Sequence, residues 1–392
     1  MRSFSMKNIA ILGSTGSIGQ AALEVLRHFP DKFRVVGLST NSNIDILHKQ
    51  IKEFHPLFVC VRDKAAAKKL QPFHKLRIKL FVGEDGLNAL VGTPQVEQVL
   101  LAISGCSALS PLFKAIESNK QIALANKEAM VSAGPLIMNE ARKRKIKVIP
   151  IDSEQSAIWQ CLDGRNHSKL KTIYLTASGG PFRKMHSKDL KNISIARVLK
   201  HPRWKMGKKV SVDSASLMNK GLELLEAMFL FAVSSDKIKI LIHPEALIHS
   251  MVEFIDGVVL AQLSATDMRI PIQYAISYPE RLQNSLPCID FYKLKGLHFE
   301  VPDFKRFPCL RLAYHAAREL GTAPAVLNAA NEVSVEEFLK KRLDFVAIPK
   351  IIEKVLERHR NKKNPNLGDI LEADKWARQE AYRIIPTLIN YV

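Results

Sequence analysis

The stretch that most restricts this chain is Gly13-Ser-Thr-Gly16-Ser-Ile-Gly19, set between a short apolar run at 9–12 and a helical pattern at 17–28. An apolar strand feeding a glycine turn that opens a helix fits the first crossover of a parallel sheet. Glycines there let a pyrophosphate approach backbone N–H groups at the helix N-terminus. The spacing is G-x-x-G-x-x-G rather than G-x-G-x-x-G, so the strand before and the helix after carry more of the argument than the glycines. A purely structural turn is the competing reading.

The alternation continues for 150 residues. Apolar runs at 35–38, 57–61, 78–81, 96–103, 122–125 and 147–151 are separated by stretches that include helical patterns at 108–119 and 128–144. This pattern predicts an α/β fold: a Rossmann-like parallel sheet with helices on both faces over residues 1–150. From 151 to 280 the pattern becomes mixed, with helices at 156–162 and 217–231 and strands at 172–176, 239–242 and 257–263, as in an α/β catalytic domain. Residues 281–308 read as a proline-bearing connector. Residues 309–392 read as a C-terminal bundle with helices at 310–320, 325–340, 349–360 and 370–384.

With 392 residues the chain exceeds one ordinary core, and 47% hydrophobic with 24% charged residues matches a soluble protein. No apolar run reaches the roughly 18 to 20 residues that span a bilayer. The first apolar stretch runs straight into the glycine turn, which leaves no room for a secretory or transit segment. Five scattered cysteines without a C-x-x-C pair fit a reducing cytoplasm. The formal charge of +20 is spread over short clusters such as Arg142-Lys143-Arg144-Lys145 rather than a stripe. This argues against nucleic acid and for attraction of small anions.

The second strand ends in Gly37-Leu-Ser-Thr-Asn-Ser-Asn43, without the carboxylate that would hold a ribose 2′-hydroxyl. NADP(H) is therefore favoured over NAD(H), although that loop has no Arg or Lys.

Two acidic stretches raise a metal site. In Asp152-Ser-Glu154 the carboxylates follow an apolar run, but Asp152 could equally cap a helix, with Gln155 completing a reciprocal box. In Asp213-Ser-Ala-Ser-Leu-Met-Asn219-Lys220-Gly-Leu-Glu223-Leu-Leu-Glu226 the residues Asn219, Glu223 and Glu226 share one helical face. The bland alternative is an exposed face with a Lys220–Glu223 pair worth a few tenths of a kcal/mol. Carboxylates from separate segments suit Mg²⁺ or Mn²⁺, and the lack of Cys/His spacing argues against zinc. Gly221 inside the helix points to close packing. Thr176-Ala-Ser178-Gly-Gly-Pro-Phe182 could form an anion nest, and His201-Pro-Arg-Trp204-Lys-Met-Gly207 a lid, or either could be an ordinary surface turn. His243, His249 and Cys161 read as structural residues.

The segments GSTGSIG at 13–19, ANKEAMVSAG at 125–134, IDSE at 151–154 and SGGPFR at 178–183 carry a resemblance that runs over essentially the whole chain. HPRWKMG at 201–207, SVDSASLMNKGLE at 211–223, IHPEALIHSMVE at 242–253 and NAANEV at 328–333 extend it. The sequence resembles the 1-deoxy-D-xylulose 5-phosphate reductoisomerase family. The resemblance implies an NADPH-dependent cytoplasmic homodimer that uses Mn²⁺, Mg²⁺ or Co²⁺ and acts on a phosphorylated sugar. It implies metal ligands at Asp152, Glu154 and Glu223, and phosphate contacts from Ser178, Ser214, Asn219 and Lys220. Lys127, Ser153 and Glu154 would touch the sugar, with His201 and Trp204 on the lid. Lys127, Glu154, Glu223 and His201 form the implied catalytic set. Thr15, Gly16, Ser17, Ile18, Asn43, Asn126, Glu128 and Gly207 would line the dinucleotide. Three departures stand out: Gln155 where many members carry His, Arg203 and Lys205 in the lid, and no Gly-Lys after the second strand. The competing classes are another NADP-linked oxidoreductase, such as a semialdehyde dehydrogenase, and a non-catalytic binding protein. The first should show an active-site Cys or a His–Arg pair, and the second need not keep these carboxylates and lysines together.

Overall fold

Strand β1 (Lys7–Leu12) lies at the middle of a seven-stranded sheet in a computed structural model that describes residues 6–70, 78–165, 167–190, 193–200, 204 and 206–389. Ile9, Ala10, Ile11 and Leu12 have no exposed surface. The other strands are β2 (Phe33–Thr40), β3 (Phe58–Val61), β4 (Lys79–Val82), β5 (Gln98–Leu101), β6 (Gln121–Leu124) and β7 (Val148–Pro150). Their order is β4-β3-β2-β1-β5-β6-β7 and every pairing is parallel. Most of these strands read as continuous apolar runs because a parallel sheet is covered on both faces. Each of the seven apolar runs noted in the sequence coincides with one of them. The helices Ile44–Phe54 and Gly83–Val91 were not visible there. The first buries only Leu47, Gln50 and Ile51, and the second carries glycines that weaken a helical pattern.

The chain forms two units. The first comprises Met1–Ala129, Ile137–Ser156 and Asp267–Leu286. Its last segment contributes the helix Arg269–Ser277, which packs on Ser17–Arg27. Gln98 Nε2 donates to the Ala275 carbonyl at 3.0 Å and Lys7 Nζ to that of Ile276 at 3.0 Å, tying this late segment to the strands.

The second unit comprises Met130–Leu136, Ala157–Thr266 and Pro287–Val392. Strands β8 (Leu170–Ala177), β9 (Ile238–Ile242), β10 (Ile248–Phe254) and β11 (Val259–Leu263) form a mixed sheet ordered β11-β10-β8-β9. Strand β10 escaped the sequence reading because His249, Ser250 and Glu253 interrupt its apolar pattern. Glu253 is nevertheless held by Lys171 Nζ at 2.7 Å and the Tyr174 hydroxyl at 2.7 Å. The helix Met218–Phe231 packs against β8 and β9 and against Pro308–Glu319. A Cβ on Gly221 would stand 2.5 Å from Ala313 Cβ, so the close packing inferred from that glycine is present. The helices Pro308–Glu319, Ala323–Leu339, Ile348–Arg358 and Leu367–Ile389 complete the predicted bundle. Among the described residues no helix is long and apolar enough to cross a membrane.

Candidate active site

In a parallel sheet all strands end on one edge, and ligands bind outside those carboxyl ends where the strand order reverses. Here the reversal falls between β1 and β5, and the glycine turn leaves β1 there. Gly13 has a φ of 84°, and a Cβ on it would lie 2.6 Å from the Ala102 carbonyl oxygen beyond β5. A Cβ on Gly19 would lie 2.3 Å from the Gly13 oxygen, so the third glycine lets the helix Ser17–Arg27 close on the turn. Gly16 differs, since its Cβ would find only Gly13 O at 3.4 Å and its φ is −77°. Steric need therefore explains two glycines and leaves Gly16 as the point where a ligand could approach the backbone.

The end of β2 braces this turn. Gly13 N–H donates to Ser39 Oγ at 3.0 Å, Ser14 N–H to the Ser39 carbonyl at 2.8 Å, and the Thr15 and Thr40 hydroxyls meet at 2.7 Å. Gly16 and Ser17 are exposed, while Thr15 and Ile18 are half-buried. Asn43 Oδ1 caps the helix Ile44–Phe54 by accepting from Ile46 N–H at 3.2 Å, which leaves its amide NH₂ as the side-chain donor for a ligand.

Asn126, Lys127 and Glu128 follow β6 on the same edge. Asn126 caps the helix Lys127–Lys143, accepting from Ala129 N–H at 2.7 Å. Its amide donates to the Ile103 and Gly105 carbonyls at 2.7 and 3.0 Å and to Glu128 Oε2 at 3.1 Å. Asn126 is thus a clamp between two loops at the sheet edge. Lys127 Nζ stands 2.9 Å from Asp152 Oδ2, with the two side chains 11% and 14% exposed. Asp152 directly precedes the helix Ser153–Leu162, as a cap would, and its Oδ2 faces the Lys127 ammonium. Ser153 Oγ donates to Glu154 Oε2 at 2.5 Å. Gln155 is fully buried.

The second unit gathers the remaining residues in its own frame. Ser178 follows β8, and Gly179 and Gly180 take φ values of 84° and 67°, a turn that only glycines adopt without strain. Gly180 N–H donates to Ser178 Oγ at 3.3 Å, and a Cβ on Gly180 would lie 2.7 Å from the Ser214 carbonyl oxygen, so this loop lies directly on the helix Lys208–Ser216. Gly207 caps that helix with open space around its Cβ position. Leu217, at φ 59°, turns the chain into Met218–Phe231, where Asn219 Nδ2 donates to Glu223 Oε1 and Lys220 pairs with Glu223.

The exposed-face alternative for this helix is wrong: Lys220, Glu223 and Glu226 are 3%, 1% and 1% exposed. A surface pair is worth a few tenths of a kcal/mol, but removing one partner of a buried pair costs about 3–5 kcal/mol. The Trp204 and His249 ring centroids lie 6.0 Å apart, so His249, assigned a structural role from the sequence, neighbours the aromatic that the sequence reading placed on a lid. His201, Arg203 and Lys205 lie outside the described residues.

The sequence reading also passed over Asp213. It is fully buried, paired with Lys209 at 2.8 Å and accepting from Asn331 Nδ2 at 2.9 Å, which links the helix bearing Ser214 to Ala323–Leu339. The available signal was the pair of amides Asn328 and Asn331 in the mostly apolar first half of that helix. Thiol chemistry has little support. Burial pushes Cys60 and Cys309 up to about 12 and Cys161 to about 11, where they stay protonated at neutral pH.

The chain matches three family models: 1-deoxy-D-xylulose 5-phosphate reductoisomerase over residues 9–134, its C-terminal domain over 148–231, and the DXP reductoisomerase C-terminal domain over 263–380. A 1-deoxy-D-xylulose 5-phosphate reductoisomerase of Pelotomaculum thermopropionicum is 46% identical over 390 residues, covering 98% of this chain and 100% of the relative. That of Caldanaerobacter subterraneus subsp. tengcongensis is 49% identical over 379 residues, 96% of this chain and 99% of the relative. A crystal structure of DOX-P reductoisomerase with NADPH, fosmidomycin and magnesium is similar at a TM-score of 0.92 and 37% identity, covering 98% and 99% of the two chains. The Zymomonas mobilis enzyme in complex with NADPH is similar at a TM-score of 0.90 and 36% identity, with 97% and 99% covered. Full-length identity, three matching models and a shared fold give one conclusion: this chain belongs to the 1-deoxy-D-xylulose 5-phosphate reductoisomerase family.

Proposed function

We propose that this chain isomerises and reduces 1-deoxy-D-xylulose 5-phosphate to 2-C-methyl-D-erythritol 4-phosphate, using NADPH and a divalent cation. The observation that carries this reading lies in the first unit. The glycine turn, Lys127, Asp152 and Glu154 all leave the carboxyl ends of parallel strands, so a dinucleotide loop and a cation-seeking carboxylate pair share one sheet edge.

The residues present fit both groups. Gly13 and Gly19 form a turn that side chains would fill, and Gly16 leaves backbone room for a pyrophosphate. Asp152 already holds a cation in the Lys127 ammonium, and an all-oxygen donor set of Asp152, Glu154 and Glu223 suits Mg²⁺, Mn²⁺ or Co²⁺. When bound, the cation supplies Lewis acidity at the substrate oxygens and the dinucleotide supplies hydride.

The chain's own work is positioning. Ser178, Ser214, Asn219 and Lys220 hold the substrate phosphate, Lys220 by charge and the others by hydrogen bonds. Lys127 offers its ammonium to the oxygen that gains negative charge as the skeleton rearranges. Ser153 orients Glu154 and the sugar hydroxyls. Thr15, Gly16, Ser17, Ile18, Asn126, Glu128 and Gly207 line the dinucleotide, and the Asn43 amide reaches its 2′-phosphate. Trp204 and His201 cover the ligand and exclude water. In this reading residues 1–150 bind dinucleotide, 151–280 carry metal, substrate and lid, 281–308 connect, and 309–392 form the bundle. The protein works in the cytoplasm as a homodimer. Support for the dimer comes from β11, an edge strand with Val259 exposed and with Ile255 and Val258 exposed beside it, an edge of the kind that pairs with a second copy.

The test follows substrate-dependent NADPH oxidation with and without EDTA. We expect turnover only with 1-deoxy-D-xylulose 5-phosphate present and its loss on chelation, restored by Mg²⁺ or Mn²⁺. An unchanged rate in EDTA would overturn the metal assignment.

A further inference from the structure

The helix Lys127–Lys143 is not continuous. Ala133 leaves helical geometry at φ −133° and ψ 19°, Pro135 removes a backbone donor, and a Cβ on Gly134 would lie 2.3 Å from the Phe229 ring. The Phe229 ring therefore packs directly on the break, where Gly134 leaves room for it.

Next to the break is a cleft of about 760 Å³, within the size range of small-molecule sites. Every residue lining it belongs to the second unit. Pro135 and Leu136 face it from the break, Phe229 and Val233 from the end of the Met218 helix, and Ala317 and Leu320 from the end of Pro308–Glu319. This wall is largely apolar. The charged residues that line it are Arg318 and Lys363, and no carboxylate is among the lining residues. Lys363 is bound to Glu319 at 2.8 Å, whereas the exposed Arg318 forms no ion pair among the described residues. An apolar body with one anionic head matches this lining, because the head can reach a guanidinium without leaving water and the body covers the wall.

We propose that this cleft binds a small amphipathic anion, an alkyl chain with a single phosphate or carboxylate head, and that its occupancy stiffens the Lys127–Lys143 helix at its break. The proposal is separate from the catalytic reading, since it needs no turnover to test. Lys127 opens the same helix, so a ligand at the break would act on the element that presents this lysine.

The experiment titrates the full chain with octyl phosphate, below its micelle concentration, by calorimetry in excess inorganic phosphate. The expected result is saturable one-to-one binding that Arg318→Glu weakens about tenfold or more. Ala317→Trp, which fills the cleft, should abolish binding, and circular dichroism of both variants checks that they are folded. Octanol should bind at least about tenfold more weakly than octyl phosphate. Exchange of the amides at 132–134 and 136 should slow on binding. Arg318→Glu is on the surface, so it remains informative if Ala317→Trp fails to fold. No saturable binding, displacement by inorganic phosphate, equal affinity for octanol, no change in Arg318→Glu, or unaltered exchange at the break would each overturn the proposal.

Discussion

In the proposed reading the glycine turn at 13–19 and the helix Met218–Phe231 would build ligand sites by opposite means. In the first, the working groups would be backbone N–H donors, with side chains kept away. Gly13 and Gly19 have no room for a methyl group, and no charged residue lies in the turn. In the second, the working groups would be charged side chains, Lys220 and Glu223, which are held in nearly full burial. A backbone site is broken by adding one carbon, and a side-chain site by deleting one charge. The first therefore shows as steric intolerance, and the second as loss of chemistry or an unpaired buried ion.

The largest expected effect tests the side-chain site. Glu223→Gln should lower turnover by about a hundred- to a thousandfold while NADPH affinity, read by fluorescence titration, stays nearly unchanged. Loss of cofactor binding instead would erase the contrast between the two regions. Next, Lys220→Gln should raise the substrate KM and leave Glu223 as a buried charge short of its cation, at a cost of about 3–5 kcal/mol in denaturant unfolding. An unfolding midpoint equal to wild type would mean that the pair is solvated.

The backbone site gives a smaller, differently placed effect. Gly19→Ala should cost about 1–3 kcal/mol of stability and weaken NADPH binding, since its Cβ would meet the Gly13 oxygen at 2.3 Å. Gly16→Ala should leave stability nearly unchanged and weaken only NADPH, because its Cβ has room in the protein but not under a pyrophosphate. If both alanines behave alike, the division between steric and ligand-facing glycines fails. The smallest effect compares the cores behind the two sites. With a thiol reagent at pH 8, Cys288 should react readily. Cys60, on β3 of the first sheet, and Cys309, against the Met218 helix, should react only after unfolding, because burial pushes both thiols up to about 12. Fast labelling of Cys309 alone would show that the second core opens more easily than the first.

Much of the fold is legible in the order of the residues. Strands β1 to β7 announce themselves as apolar runs, and in all but the exposed edge strand β4 burial on both faces removes the need for polar alternation. The four C-terminal helices are visible as helical stretches joined by short loops. Strand β10 is not, because His249, Ser250 and Glu253 break its pattern, and Glu253 finds Lys171 and Tyr174 only in the folded sheet. Burial of Lys220, Glu223 and Glu226 is also hidden, since the same i, i+3, i+4 spacing suits a solvated face. Asp213 and Asn331 are 118 residues apart, and no local pattern couples them.

The sequence by itself determined the parallel sheet, the glycine turn, the acidic stretches and the family, because these depend on residue types within a few positions of one another. Only the tertiary structure decided that Lys127 meets Asp152, that Gly180 lies on the Ser214 backbone, and that the charged face of the Met218 helix is dry. It also brought residues 267–286 back to the first unit. The physical reason is common to all four. Local dihedrals and periodicity are written in neighbouring residues, whereas burial and charge pairing are set by chain segments that meet only once the whole core has formed.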